Sequence, residues 1–287
     1  MQKITKDILK KVYYTRKPES HKYDYGLLLV VGGGNFYTGS PALSAMAAFR
    51  AGVDMTHILA PRRAADIIAG FSPNLAAYPF KGDWFDNEDL PTILSFTESA
   101  KEVAGGRTAV VLGGGMGRSE ETKEAILSYL GQTYIRAVID ADGIHAVAKN
   151  LAVVKDRHFV FTPHAYEFFV LTGRDIREAG FEEKIRVVQE EAARLGCVIV
   201  LKGNRDIISD GQEAAIDEGG SPFMTVGGTG DTLAGIAGSL LAQGIEPFLA
   251  AQAASYINGK AGEAAAKKYG PGMTAVDLIE EIANVIK

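Results

Sequence analysis

Asp231 follows three glycines packed into four positions, in the run Val226-Gly227-Gly228-Thr229-Gly230-Asp231-Thr232-Leu233. Glycines let the backbone turn tightly and approach a ligand with no Cβ in the way. An apolar, helix-like run from Thr232 to Gln243 comes next. The first N–H groups of such a helix lack partners within it, and with the helix dipole they form an anion site facing the turn. A carboxylate beside a bound phosphate is repelled by it, so Asp231 needs a reason to be there. It has one as a general base that takes the proton from a hydroxyl attacking that phosphate. The alternative is an N-cap or first-turn aspartate with no chemistry.

Other groups capable of chemistry stand at the ends of apolar runs. Leu27 to Val31 leads into Gly32-Gly33-Gly34-Asn35-Phe36-Tyr37-Thr38-Gly39, and Thr108 to Leu112 leads into Gly113-Gly114-Gly115-Met116-Gly117. Continuous apolar runs of this length suit strands buried on both faces of a parallel sheet. Glycine loops at the carboxyl ends of such strands are where open α/β sheets bind ligands. The first loop is not a dinucleotide fingerprint, because the third glycine would fall at Tyr37. Ser40-Pro41 after it reads as an N-cap and first helical residue. Ala137-Val138-Ile139 ends in Asp140-Ala141-Asp142. Two carboxylates at a strand end can organise magnesium or a substrate hydroxyl. Asp142 is expected to cap the helix 143–149, and Asp140 stays open. His158 begins the run Phe159-Val160-Phe161, which ends at Thr162-Pro163-His164. On a helical turn His164 and Glu167 share a face, which makes His164 either a cap or a ligand contact. Lys202 and Gly203 close the run Cys197 to Leu201, a further anion-site signal that lacks the Walker A spacing.

The elements that must position these groups alternate strand, loop and helix. Phe181 to Gly196 has apolar residues at helical spacing. Ile207-Ser209, the turn Asp210-Gly211, and Ala214-Ile216 read as a hairpin. Pro247 to Lys268 is helical and alanine-rich, and Thr274-x-x-Asp277 starts a last helix. Residues 62–107 carry no clear periodicity beyond one short strand within Phe71 to Trp84. There is no repeat, low-complexity segment or linker, so a single domain over residues 1–287 is expected. Its fold class is α/β: a three-layer α/β/α sandwich around a mainly parallel sheet. A net charge of −5 gives no reason to expect nucleic acid or an anionic membrane as partner. The single cysteine, Cys197, excludes an internal disulfide and reads as a buried strand residue. Met1 to Lys10 has no apolar core behind its basic residues, and no apolar run approaches membrane-spanning length. A cytoplasmic location is expected.

Five segments in order resemble a known family. They are His21-Lys22-x-Asp24-Tyr25-Gly26 leading to the first glycine loop with Tyr37-Thr38-Gly39; Leu112-Gly113-x-Gly115-x-Gly117; Asp140-Ala141-Asp142; Thr162-Pro163-His164-x-x-Glu167; and Leu201-Lys202-Gly203 with Gly227-Gly228-Thr229-Gly230-Asp231. The set is similar to the ADP- or ATP-dependent NAD(P)H-hydrate dehydratases of the ribokinase-like superfamily. That resemblance implies repair of NAD(P)H whose nicotinamide ring has gained water at C6. A nucleotide phosphorylates the new hydroxyl, and loss of phosphate restores the double bond.

Carried over by position, Gly227, Gly228, Thr229 and Gly230 form the anion hole and Asp231 is the base. Ser40, Gly115 and His164 join Asp231 around the hydrated dinucleotide. Lys202, Gly203, Asn204, Arg205 and Asp206, with Gly230, take the adenine nucleotide, and Glu167 helps hold Mg2+ through water. A homo-oligomer, a tetramer, is implied. Tyr23, Ser40-Pro41, Ser221-Pro222-Phe223 and Asp206 depart from the family's usual residues, which bears on substrate fit and nucleotide preference. Many members carry an epimerase domain ahead of this one. The chain begins at the kinase-like part, so that activity is expected to be absent. Two other readings compete. One is a kinase of the same superfamily acting on a vitamin precursor such as hydroxyethylthiazole. The other is a nucleotide-binding module without chemistry, against which Asp231 argues.

Overall fold

An apolar run with no polar alternation is stable as a strand only if both faces are covered, and the structure meets that demand. The computed structural model describes residues 2–157 and 159–287. Among these described residues ten strands form one sheet: β1 Gln2–Lys3, β2 Leu27–Val31, β3 Met55–Pro61, β4 Ala76–Phe80, β5 Thr108–Leu112, β6 Arg136–Ile139, β7 Val160–Phe161, β8 Val198–Leu201, β9 Asp206–Ser209 and β10 Ala214–Asp217. Their order is β1-β10-β9-β8-β7-β6-β5-β2-β3-β4. From β8 to β4 all neighbours are parallel. The hairpin β9–β10 continues the sheet antiparallel to β8, and β1 closes that edge.

The helices are α1 Leu9–Val12, α2 Ser40–Arg50, α3 Arg62–Ala69, α4 Leu90–Val103, α5 Glu120–Gln132, α6 Ala141–Val147, α7 Ala165–Thr172, α8 Phe181–Leu195, α9 Thr229–Ala242, α10 Pro247–Tyr269 and α11 Ala275–Ile286. They cover both faces. Leu28 and Val30 pack with α2, α9, α10 and α11, while Leu27, Leu29 and Val31 pack with α4, α5, α6 and α8. Alternation along β2 therefore feeds two separate cores, and the expected three-layer α/β/α sandwich results.

Strand order fixes where the chemistry sits. From β2 the chain adds β3 and β4 on one side and β5 to β8 on the other. The reversal lies between β2 and β5, and a crevice opens there at the carboxyl ends of the strands. Both glycine loops leave at that point, tied together by the Gly33 N–H, which donates to the Gly114 carbonyl at 2.7 Å. Asp140, His164 and Lys202 follow β6, β7 and β8 at the same edge.

Several local expectations are corrected. Gly39, not Ser40, is the N-cap of α2, and Ser40 is its first residue, with a side chain free for other work. The glycine-turn helix begins at Thr229 rather than Thr232. Asp142 does not cap α6. It lies in the first turn and accepts from the Gly117 N–H at 2.9 Å and Arg118 Nε at 2.7 Å, which fastens the second glycine loop. The stretch 62–107 holds the one short strand expected within Phe71 to Trp84, β4, and two helices that its pattern did not announce, α3 and α4. Pro91 falls in the first turn of α4, where a missing N–H costs nothing. Pro79 is tolerated because β4 is an edge strand. His158 lies outside the described residues. Cys197 is buried as expected, and burial pushes its thiol up to about 12. Among the described residues no helix is long and apolar enough to cross a membrane.

Candidate active site

The turn before α9 ends on Gly228, which has φ +100° and serves as the N-cap. A side chain there would be strained by that backbone and would also meet Leu43 Cδ1 at 2.6 Å. The first α-helical bond runs from the Thr232 N–H to the Gly228 carbonyl at 3.1 Å. The N–H groups of Thr229, Gly230 and Asp231 are thus left without intrahelical acceptors, at the positive end of the helix dipole. Helix α10 clamps this turn. Asn258 Nδ2 donates to the Thr229 carbonyl at 3.2 Å, and Asn258 Oδ1 accepts from the Thr232 hydroxyl at 2.7 Å. The Thr229 hydroxyl is engaged with the Met224 carbonyl at 2.8 Å, so Thr229 offers an anion its backbone rather than its side chain.

Asp231 sits in that first turn, facing the two glycine loops. The Ser40 hydroxyl donates to its Oδ1, and the Ser44 hydroxyl donates to its backbone carbonyl at 3.0 Å. Helix α2 therefore holds the residue by side chain and main chain at once. The Gly114 backbone comes so close that a Cβ there would lie 3.0 Å from Asp231 Oδ1. Burial pushes the Asp231 carboxyl up to about 7. The Ser40 bond and the Lys202 charge oppose that rise, and the Asp140 charge adds to it. A carboxyl that titrates near neutrality is matched to general-base work at physiological pH.

Lys202 stands opposite. Its Nζ lies 3.0 Å from Asp140 Oδ1 and 3.8 Å from Glu167 Oε2. Thr162 donates to the same Asp140 oxygen at 2.8 Å. Burial acts to lower the Lys202 pKa, but Asp140, Glu167 and Asp231 together outweigh it, so the net shift is upward and the ammonium stays charged. Gly230 passes so close that a Cβ there would lie 3.3 Å from Lys202 Nζ. From this point a cleft of about 520 Å³ extends between Lys202-Gly203-Asn204, Asp206, Gly219 to Pro222, and the α9–α10 wall of Thr229, Gly230, Leu233 and Asn258.

The cleft brings together most of the expected nucleotide residues. Asp206 accepts from the Gly203 N–H at 3.0 Å and from Ser255 at 2.7 Å, and burial raises its pKa. Asp217, its cross-strand partner, is pushed up to about 6 by burial and by the Asp206 charge. Arg205 is turned away, with its guanidinium 3.4 Å from the Phe181 ring centroid. Of the expected anion hole, Thr229 and Gly230 line the cleft, while Gly227 and Gly228 shape the turn behind them.

His164 and Glu167 form a reciprocal cap on α7. The Glu167 N–H donates to His164 Nδ1 at 3.2 Å, and the His164 N–H donates to Glu167 Oε2 at 2.9 Å. The imidazole keeps half its surface exposed at the rim. Gly115 lies against the Tyr37 main chain of the first glycine loop. Among the described residues no set of three His, Cys, Asp or Glu side chains could cage a metal. Asp140 and Glu167 beside the cleft at Lys202 nonetheless fit Mg2+, which keeps its waters and prefers a carboxylate or two plus substrate phosphates. Asn258 and Ser255 had no place in the sequence reading. Their signal is two polar residues three apart in an alanine-rich helix.

The family described as NAD(P)H-hydrate dehydratase matches residues 28–284. The chain belongs to the NAD(P)H-hydrate dehydratase family. An ADP-dependent (S)-NAD(P)H-hydrate dehydratase of Nitrosopumilus maritimus is 34% identical over 99% of this chain and 96% of its own length. A bifunctional NAD(P)H-hydrate repair enzyme of Pyrobaculum aerophilum is 40% identical over 96% of the chain. The chain covers 53% of that enzyme, and it spans about half the length of the first curated relatives it matches. Among solved structures, a ribokinase-like superfamily protein of Enterococcus faecalis superposes with a TM-score of 0.84 at 25% identity, covering 99% of this chain and 95% of that one. The fold is ribokinase-like.

Proposed function

We propose that this chain dehydrates (S)-NAD(P)H hydrate back to NAD(P)H at the expense of ADP or ATP. One observation carries the reading: a carboxyl held near neutrality, Asp231, stands at the anion-binding start of α9 beside a lysine-lined cleft. The nucleotide lies in the cleft, with its phosphates between Lys202 and the N–H groups of Thr229 and Gly230. The C6 hydroxyl of the hydrate approaches from the glycine loops. Asp231 accepts the hydroxyl proton as oxygen bonds to the terminal phosphorus and the bridging P–O bond to the nucleotide breaks, releasing AMP from ADP or ADP from ATP, while the N–H groups hold the equatorial oxygens. The C6–O bond then breaks with phosphate as leaving group. Loss of the C5 proton forms the C5–C6 double bond. Magnesium, held through water by Asp140 and Glu167, would neutralise phosphate charge.

The same reading takes residues 1–287 as one catalytic domain in a cytoplasmic homo-oligomer; a tetrameric mass is the expected result of a light-scattering measurement, and a monomeric mass at micromolar concentration would contradict it. It is tested by incubating the protein with NAD(P)H hydrate, Mg2+ and ADP or ATP. Return of the dihydronicotinamide absorbance with equimolar phosphate release is expected. A phosphorylated product that accumulates without that absorbance would favour the kinase reading. No reaction with either nucleotide would overturn the proposal.

A further inference from the structure

The chain has a single tryptophan, and its position is costly to maintain. Trp84 follows the edge strand β4, yet its indole reaches back to the loops at the ends of β2 and β5. A Cβ at Gly34 would lie 2.5 Å from the indole Cζ3, and one at Gly117 would lie 3.0 Å from it. Both glycines are therefore required by the indole, and Gly117, at φ +82°, by its turn as well. The next residue, Phe85, is fully buried and stacks on Phe80 at 5.3 Å, and Asp86 caps the turn beyond it. The segment is thus pinned, while Trp84 itself stays 41% exposed. An indole held this firmly but left in water has an apolar face available for something else.

Its surroundings indicate what that is. Gly117, which meets the indole, is three residues from Gly114, which passes close to Asp231, so the two glycines stand at most roughly 11 Å apart along the chain. Tyr37 stands on the first glycine loop and packs against Gly115, and it is exposed together with Phe36, its edge-to-face partner at 4.9 Å. The nucleotide cleft is different, because no aromatic side chain lines it. Flat heterocycles on the substrate side of Asp231 thus meet aromatic surface, and those on the nucleotide side meet Met224 and Leu233.

We infer that Trp84 is a substrate-contacting residue, a wall on which a flat ring of the dinucleotide hydrate stacks while C6 is presented to Asp231. This rests on the proposed hydrate activity and adds a specificity element to it. Stacking of a base on an aromatic side chain is sequence-tolerant but demands a flat partner, so the wall selects dinucleotides over small hydroxylated rings.

Because Trp84 is the only indole, intrinsic emission reports its contacts directly. With the full chain saturated in ADP, titration with NADP+ is expected to quench that emission saturably, and ADP alone should leave it within a few per cent. Trp84→Leu should raise the hydrate KM about tenfold, as loss of one stacking contact does. The ADP KM should stay unchanged, and Trp84→Phe should recover most of the loss in hydrate KM. A wild-type enzyme that turns over hydrate while its emission ignores NADP+, or a Leu variant with a normal hydrate KM, would overturn the wall and leave the activity standing. Saturable quenching by NADP+ in a protein that never consumes hydrate would keep the wall and remove the activity.

Discussion

Ser40→Ala tests how the base is tuned. The Ser40 hydroxyl donates to Asp231 Oδ1, and this bond stabilises the charged carboxylate against burial. A hydrogen bond to a charged group contributes about 1.5–3 kcal/mol. Asp231 is largely buried but keeps some accessible surface, so water replaces part of the lost donor and the lower bound applies. About 1.4 kcal/mol corresponds to one pKa unit. The carboxyl stands at about 7 with the bond in place. Without it the value should move up by about one unit, because the charged form has lost a partner. The base acts only when deprotonated, so the acid limb of kcat/KM should shift to higher pH by the same amount. At neutral pH the fraction of working base would drop from about one half to about one tenth, a loss of about fivefold. Well above pH 8 the variant should match the wild type. The assay is recovery of dihydronicotinamide absorbance from the hydrate, followed across pH with saturating nucleotide. A uniform loss at every pH would mean that Ser40 acts on substrate or packing and not on the base. An unmoved limb would mean that the hydrogen bond does nothing for Asp231.

Three further changes probe neighbouring parts. Asp231→Asn keeps the shape but cannot accept a proton, and should lower kcat by roughly a hundredfold while KM values stay within a few-fold; near-normal turnover would reduce Asp231 to a helix residue. The same variant tests linkage. The folded carboxyl is raised from 3.8 to about 7, so the wild type loses stability as pH rises through that window, and the Asn variant should melt higher above pH 7 with the gap closing toward pH 4. Lys202→Ala removes the charge at the head of the nucleotide cleft and should raise the nucleotide KM about tenfold with little change for the hydrate; an unchanged nucleotide KM would contradict its assignment. Gly235→Ala would put a Cβ 2.1 Å from the Ser44 carbonyl oxygen, forcing apart the helices that carry Ser40 and Asp231. A cost of about 3 kcal/mol and a fall in melting temperature of roughly 5–10 °C are expected by calorimetry.

The parallel core was legible because its strands are continuous apolar runs bounded by glycine or charge. Leu27–Val31 and Thr108–Leu112 form strands over those residues, and the hairpin around Asp210-Gly211 is found where its turn chemistry puts it. Edge elements were not legible. Gln2–Lys3 is a two-residue strand whose existence depends on pairing with β10, a tertiary fact with no local pattern. Residues 62–107 show no clear periodicity, and the prolines there disturb it, although Pro91 lies in a helical first turn and Pro79 on an edge strand. The roles of single side chains were harder still. Ser40 reads as a cap because serine before proline usually is one. Its actual partner is 191 residues away and is brought to it only by the packing of α2 on α9.

The polar face of α10 takes this one step further. Ser255 and Asn258 are buried in a helix otherwise rich in alanine. Buried polar groups without partners are costly, so such a pair requires acceptors and donors on whatever it faces. The sequence could therefore state that a polar surface lies opposite α10. It could not state which one, because alanine packs equally well against sheet or helix. In the folded chain Ser255 donates to Asp206 and Asn258 holds the first turn of α9. Both partners line the cleft beside Lys202. Helix α10 is thus the rear support that fixes the anion-binding turn relative to Asp206. A change at Asn258 should then act through the orientation of the Thr229 and Gly230 N–H groups and not through any contact with substrate, which makes it a positioning residue for the phosphoryl group.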